Sequence, residues 1–150
     1  MAYLNPRIAA LVLALSIALI SSAAADSLSV QAEQAKDVQY LKAQMTAAVN
    51  KVEQFRKTVV AKRLKDPSID SSTKECVKVC QEVYDGAIDA MKKGMKSVQS
   101  GDFFKANFDV SAFFTNIDTC DDCFSEFQQF DQWAKGVGSA CLDKIVKYRS

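Results

Sequence analysis

The sequence contains no histidine, and this absence excludes more chemistry than any residue present supplies. Without an imidazole there is no Ser-His-Asp or Cys-His nucleophile, no His-ligated metal and no ordinary general base near neutral pH. An excess of either charge is also missing. The 19 basic and 18 acidic side chains leave a formal net charge of +1, too even a balance for the electrostatic footprint of a nucleic-acid or anionic-membrane binder. There is no Asn-x-Ser/Thr acceptor for N-glycosylation, no phosphate loop and no recognisable nucleophile motif. No stretch sustains the apolar-polar alternation of a β-strand. What remains are carboxylates, lysines and five cysteines in 150 residues, a length suited to one domain. Neither an enzyme nor a cofactor is expected, and the expected partner is a protein or a small molecule.

The N-terminus reads as a secretory leader. Arg7 precedes a 13-residue, largely apolar run from Ile8 to Ile20, and Ala23 and Ala25 stand at the minus-three and minus-one positions of a cleavage site before Asp26. A spanning helix needs about 20 apolar residues, so no stable membrane insertion is expected once the leader is removed. The chain thus divides into a signal peptide, 1–25, and a secreted domain, 26–150. Cleavage removes one base, Arg7, and no acid, leaving 18 basic and 18 acidic side chains and a net charge near zero.

The secreted part carries four helical patterns. Val38, Leu41, Met45, Ala48, Val52, Phe55 and Val59 recur at alternating three- and four-residue steps, one apolar stripe on a helix from about residue 28 to 64. A turn cluster at 65–71 contains Pro67. It is followed by Ser72-Thr73-Lys74-Glu75, which reads as a capping box opening a second helix. That helix turns Cys76, Val79, Cys80, Val83, Ala87, Met91 and Val98 inward and stops at Ser100-Gly101. Gly86 and Gly94 mark close approach of a neighbour. Asp102 caps a third helix with Phe103, Ala106, Val110, Phe113, Ile117, Cys120, Phe124 and Phe127 at helical spacing. A fourth runs from Asp131 to Tyr148, with Trp133, Val137, Cys141, Ile145 and Tyr148 on one face. The fold class is therefore all-α, an up-down-up-down four-helix bundle.

Cysteine spacing adds a cross-link. Cys76 and Cys80 lie one turn apart on the second helix, and Cys120 and Cys123 nearly one turn apart on the third. Between antiparallel neighbours, Cys80 with Cys120 and Cys76 with Cys123 can stack as two rungs, and secretion favours oxidation. A four-thiolate zinc site has nearly the same ligand spacing, and Cys120-Asp-Asp-Cys123 has redox spacing without a strand-helix-strand context. Cys141 is odd, either a buried free thiol or a partner in another bridge.

The segments Cys80-Gln-Glu-Val-Tyr84-Asp-Gly-Ala87-Ile-Asp-Ala-Met91 and Ser111-Ala112-Phe-Phe-Thr115-Asn116-Ile-Asp118-Thr119-Cys120-Asp-Asp122-Cys123-Phe124 resemble the plant invertase and pectin methylesterase inhibitor family. Cys80 and Tyr84 match its Cys-x3-Tyr, and Ala87 and Met91 approximate Ala-x3-Leu. Ser111, Ala112 and Thr115 match most of Ser-Ala-Ala-x-Thr, while Thr119, Cys120, Asp122 and Phe124 match Thr-Cys-x-Asp-Gly-Phe with Cys123 in place of the glycine. The chain departs from the family in lacking an N-terminal disulfide hairpin, in a shorter connection before the fourth helix, in the extra Cys76 and Cys123, and in Ser139-Ala140-Cys141-Leu142 where the family has Ser-Asn-Ala-Leu.

The resemblance implies a secreted inhibitor of a carbohydrate enzyme of the cell wall or vacuole, with a disulfide between Cys80 and Cys120. Pectin methylesterase is the first expected target and invertase the second. Inhibition would be stoichiometric, an exposed face of the second and third helices covering the active-site cleft. Asn116, Asp118, Thr119 and Asp122 are the candidate target-binding residues. The other class of function is a non-inhibitory secreted module that takes a lipid or hydrophobic signal along the Phe-rich third helix.

Overall fold

The computed structural model describes the backbone of residues 6–149 and the side chains of residues 28–149. It comprises two units, Met1–Lys36 and Asp37–Ser150. The first is helical over its described part, with Leu28 and Val30 exposed. The expected leader and its cleavage site lie outside the residues whose side chains are described. No helix among the described residues is long and apolar enough to cross a membrane.

Four helices and no strand make up the described residues. Helix α1, Pro6–Phe55, continues through a π-helical turn at Arg56–Val60 and a last α-turn at Ala61–Leu64. Its apolar stripe is buried as expected at Leu41, Met45, Ala48 and Val52, with Val38 and Phe55 packed against the core. The stripe then slips. Val59, expected inward, is 41% exposed, and Val60 is buried instead. A π-turn holds one residue more than an α-turn, so the inward position after Phe55 comes five residues on rather than four.

Helix α2, Ser71–Gln99, starts earlier than the expected capping box. Asp70 is the N-cap, its carboxylate accepting the Thr73 backbone N–H at 2.9 Å and the Thr73 hydroxyl at 2.7 Å. Glu75, assigned to reach back to Ser72, pairs with Lys78 at 2.6 Å. An aspartate is as good a cap as a serine, and taking the earlier position gains the helix two residues, Ser71 and Ser72. Asp70→Ala should cost about 1 kcal/mol in a urea unfolding titration. Ser72→Ala should cost almost nothing, whereas a Ser72 cap would reverse the two results. Val79, expected inward on α2, is 37% exposed, and the buried residue of that turn is Val77.

Gly101, with φ of 77°, closes the turn after α2 in the left-handed region. The Asp102 carboxylate then accepts the Lys105 N–H at 2.9 Å and starts α3, Phe103–Cys123. The sequence pattern carries this helix to Phe127, but it ends at Cys123. Phe124 is extended, with φ of −140°, a single 3-10 turn spans Ser125–Phe127, and α4 follows as Gln128–Val146. Both phenylalanines stay buried across the break, so apolar periodicity alone could not reveal it.

The core joins all four helices: Leu41, Met45 and Val52 of α1, Tyr84 and Met91 of α2, Phe113 and Ile117 of α3, and Ile145 of α4 are fully buried. At one end the buried Asp37 carboxylate of α1 accepts the Lys144 ammonium and, at 3.0 Å, the Tyr148 hydroxyl. These partners hold its pKa below the ordinary carboxylate value.

Candidate functional site

The cysteines form two bridges between α2 and α3, Cys76–Cys123 and Cys80–Cys120, with Cα separations of 5.5 and 4.6 Å. Rising numbers on α2 meet falling numbers on α3, and the i,i+4 step on one helix matches the i,i+3 step on the other. With all four sulfurs paired, no thiolate set remains for zinc and no free Cys-x-x-Cys for redox exchange. Cys141 is the buried free thiol. Burial pushes its pKa up to about 11, so it is a poor nucleophile.

Tyr84 sits one turn beyond Cys80 and is fully buried, its hydroxyl 3.2 Å from Cys120 Sγ. It donates to Asp131 Oδ1 at 2.7 Å. Burial raises the phenol far above its usual pKa, and the Asp131 charge adds to the effect. Asp131 is also fully buried, and its Oδ2 has no hydrogen-bond partner among the described residues. Burial lifts its pKa to about 7 against the Tyr84 hydrogen bond, with the nearby Asp121 pushing up and Lys135 pulling down. Sequence reading missed this residue, since an aspartate at a helix start is ordinarily solvated. Sealed in the core, Asp131 has no route to a substrate. It joins α2 to α4 rather than doing chemistry.

Above this framework α3 presents an outer strip. Thr115, Thr119 and Asp122, at positions i, i+4 and i+7, are all exposed. The threonine hydroxyls donate to carbonyls one turn back, Thr115 to Ser111 at 3.2 Å and Thr119 to Thr115 at 2.9 Å. Asp122 has no side-chain partner among the described residues. The other two candidates turn aside. Asn116 faces α2, where its Oδ1 would stand 2.7 Å from a Cβ placed on Gly86, and its Nδ2 donates to the Ala112 carbonyl at 2.8 Å. Asp118 faces α4 and pairs with Lys135 at 2.9 Å, beside the 2.6 Å pair of Lys135 with Asp121. The two carboxylates hold the Lys135 pKa above its usual value.

Of the positions that carried the resemblance, Tyr84, Cys80, Cys120 and Phe124 are buried framework, Ser111 is half-buried, and Ala112, Thr115, Thr119 and Asp122 are exposed. Sequence reading left out Gly86 as a partner of Asn116. Its absent side chain lets α2 and α3 approach, and Val79 and Lys93 stand seven residues to either side on the same exposed line of α2. The Phe-rich helix forms no continuous groove. Phe103 and Phe113 are core, while Phe104 and Phe108, each 60% exposed, pack edge to face against each other at 5.0 Å.

Two bridges between α2 and α3 and an exposed polar strip on α3 give this helical protein a surface on which another molecule can dock. The profile describing plant invertase/pectin methylesterase inhibitors matches residues 15–147, and the chain belongs to that family. Members of the family are inhibitors and not enzymes, and a carbohydrate-active enzyme is the kind of partner that membership implies. No curated protein matches the chain. Among solved structures, a pectin methylesterase inhibitor from Arabidopsis thaliana is similar in fold, with a TM-score of 0.53 and 20% identity over 73% of this chain and 72% of that one.

Proposed function

We propose that the protein is a secreted inhibitor of a plant pectin methylesterase. It acts by stoichiometric binding, with the outer α2–α3 face laid over the enzyme's substrate cleft. The observation that carries this reading is the exposed Thr115-Thr119-Asp122 strip beside the double bridge. Side chains uncommitted to other helices stand there on a helix bridged twice to its neighbour, a cross-link that reduces the conformational entropy lost on docking. Thr119 and Asp122 meet the target directly in this reading, while Asn116 and Asp118 set the spacing of α3 from its neighbours.

An up-down-up-down bundle is part of the proposal. Met45 with Gly94 and Arg56 with Asp85 match α1 to α2 in opposite chain order, as do Phe113 with Gly138 and Asp118 with Lys135 for α3 and α4. Residues 1–25 serve as the leader and 26–150 as the inhibitor-like domain. The site of action is the apoplast, with the vacuole as the alternative destination.

The test is a titration of the oxidised protein against a pectin methylesterase and an acid invertase in parallel at mildly acidic pH. Stoichiometric loss of the methylesterase activity alone is the expected result. Loss of invertase activity alone would reassign the target, and loss of neither at large excess would remove the inhibitor reading. Replacing Thr119 and Asp122 together by arginine should weaken inhibition by about 100-fold, the scale of a disrupted hot spot. Gln39→Arg, on the exposed side of α1, should leave it unchanged.

A further inference from the structure

Where α1 ends and α4 begins, the bundle opens into a cavity of about 880 Å³. It lies within the size range of small-molecule sites, and its lining includes none of Thr115, Thr119 and Asp122. Its walls include Phe55 and Val59 of α1, Phe127 of the 3-10 turn and Phe130 of α4. Phe55 stacks on Phe130 with centroids 3.7 Å apart and meets Phe127 edge-on at 5.2 Å. Three rings thus hold one another in a fixed apolar lining.

The π-turn at Arg56–Val60 forms part of the wall. By slipping the helical phase it leaves Val59 facing the cavity rather than the core. A regular α-helix would have buried this valine, and π-turns inside helices are frequent at functional sites.

The charges lie at one side. Lys62, Arg63 and Lys65 line the cavity with Asp66 and Glu126. Arg63 is held by both acids, to Asp66 at 2.8 Å and to Glu126 at 2.6 Å, while its buried Nε has no hydrogen-bond partner. Lys62 and Lys65 are exposed and have no ion pair among the described residues. Three cations against two anions leave an excess of one positive charge beside an apolar interior. A polyanion would meet Asp66 and Glu126 and be repelled, whereas a neutral lipid would leave the lysines unused.

We propose that this cavity binds a small amphipathic carboxylate, a molecule with an apolar chain or ring body and one anionic head. The body lies against Phe55, Phe127 and Phe130, and the head sits between the Lys62 and Lys65 ammonium groups. The site shares no residue with the Thr115-Thr119-Asp122 strip, so either reading can fail without the other.

The experiment uses the oxidised full-length protein with 1-anilinonaphthalene-8-sulfonate as a fluorescent reporter, displaced at pH 7 by decanoate or by decan-1-ol. The reporter should bind saturably at one site, and decanoate should displace it with an apparent Kd about tenfold below that of the alcohol, the worth of one charge-assisted contact. Lys62→Ala with Lys65→Ala should erase this preference and leave alcohol binding within about twofold. Val59→Glu should abolish binding of both probes while leaving the helical circular dichroism intact, since the residue is exposed. The proposal is overturned by the absence of saturable reporter binding in the folded native protein, by equal displacement by acid and alcohol, or by an acid preference that survives loss of both lysines. If the native protein binds no probe but the lysine variant loses its hold on the target enzyme, the surface belongs to the protein partner instead.

Discussion

Replacing Cys76, Cys80, Cys120 and Cys123 together by alanine should lower stability by roughly 6 kcal/mol, comparable to the whole stability of many domains of this size. The figure comes from chain entropy. The inner bridge, Cys80–Cys120, closes a loop with a sequence separation of 40, worth about 4 kcal/mol by the loop-closure relation. With that bridge in place, the outer one closes only a small ring, residues 76–80 and 120–123, for about 2.5 kcal/mol more. Each bridge removed alone therefore costs only the small-ring amount in entropy, because the other still holds the long loop shut. Removing both should cost about 1.5 kcal/mol more than the sum of the two single losses. Cys80 and Cys120 are fully buried, unlike Cys76 and Cys123, so the inner replacement also leaves a cavity and should be the more damaging single change. Urea midpoints of the three variants decide the matter. A double loss equal to the plain sum would mean that the bridges act by local packing rather than by closing the loop.

The same bridges show why part of this molecule is legible from its sequence. A cysteine pair at i,i+4 and another at i,i+3 can meet as two rungs only between adjacent helices, so spacing along the chain reports contact across it. The stripe of α1 was legible for the same reason, as far as Val52. Beyond that, one inserted residue at Arg56–Val60 exchanged Val59 for Val60, and no apolar pattern in that stretch marks the π-turn. The end of α3 was hidden because Phe124 and Phe127 are buried whether the chain is helical or extended there. At the candidate site, the Thr115-Thr119-Asp122 strip follows from helical spacing. The commitments of Asn116 to the Gly86 side and of Asp118 to Lys135 depend on residues of neighbouring helices, whose faces the sequence does not align. Asp131 was the least legible of all. Its burial becomes visible only when Tyr84 of α2 is found donating to it.

That burial makes stability depend on pH in a direction opposite to most carboxylates. An aspartate in the unfolded chain titrates near 3.8, whereas Asp131 in the folded protein titrates at about 7. Between these values the native state holds a proton that the unfolded chain has released, so stability falls as pH rises, by about 1.4 kcal/mol per unit. The contribution is fully present below about pH 4, is lost progressively up to about pH 7 and is level above that. The accumulated loss is on the order of 4 kcal/mol. Asp37 works the other way. Lys144, with Tyr148 and Lys147, depresses its pKa, so its stabilisation is present above the ordinary carboxylate value and disappears as pH falls through its lowered one. Together the two groups place the stability maximum in weak acid, which suits the wall environment proposed for the protein. Asp131→Asn keeps an acceptor for the Tyr84 hydroxyl and mimics the protonated acid. It should lie within about 1 kcal/mol of the native protein near pH 4.5 and exceed it by several kcal/mol at pH 7.5, on the order of the loss given above. Tyr84→Phe removes the one hydrogen bond that favours the ionised carboxylate and should carry the decline to higher pH at the same one-proton slope. Urea unfolding of the three proteins at both pH values measures this directly, and parallel pH slopes for native protein and Asp131→Asn would show that another group carries the dependence.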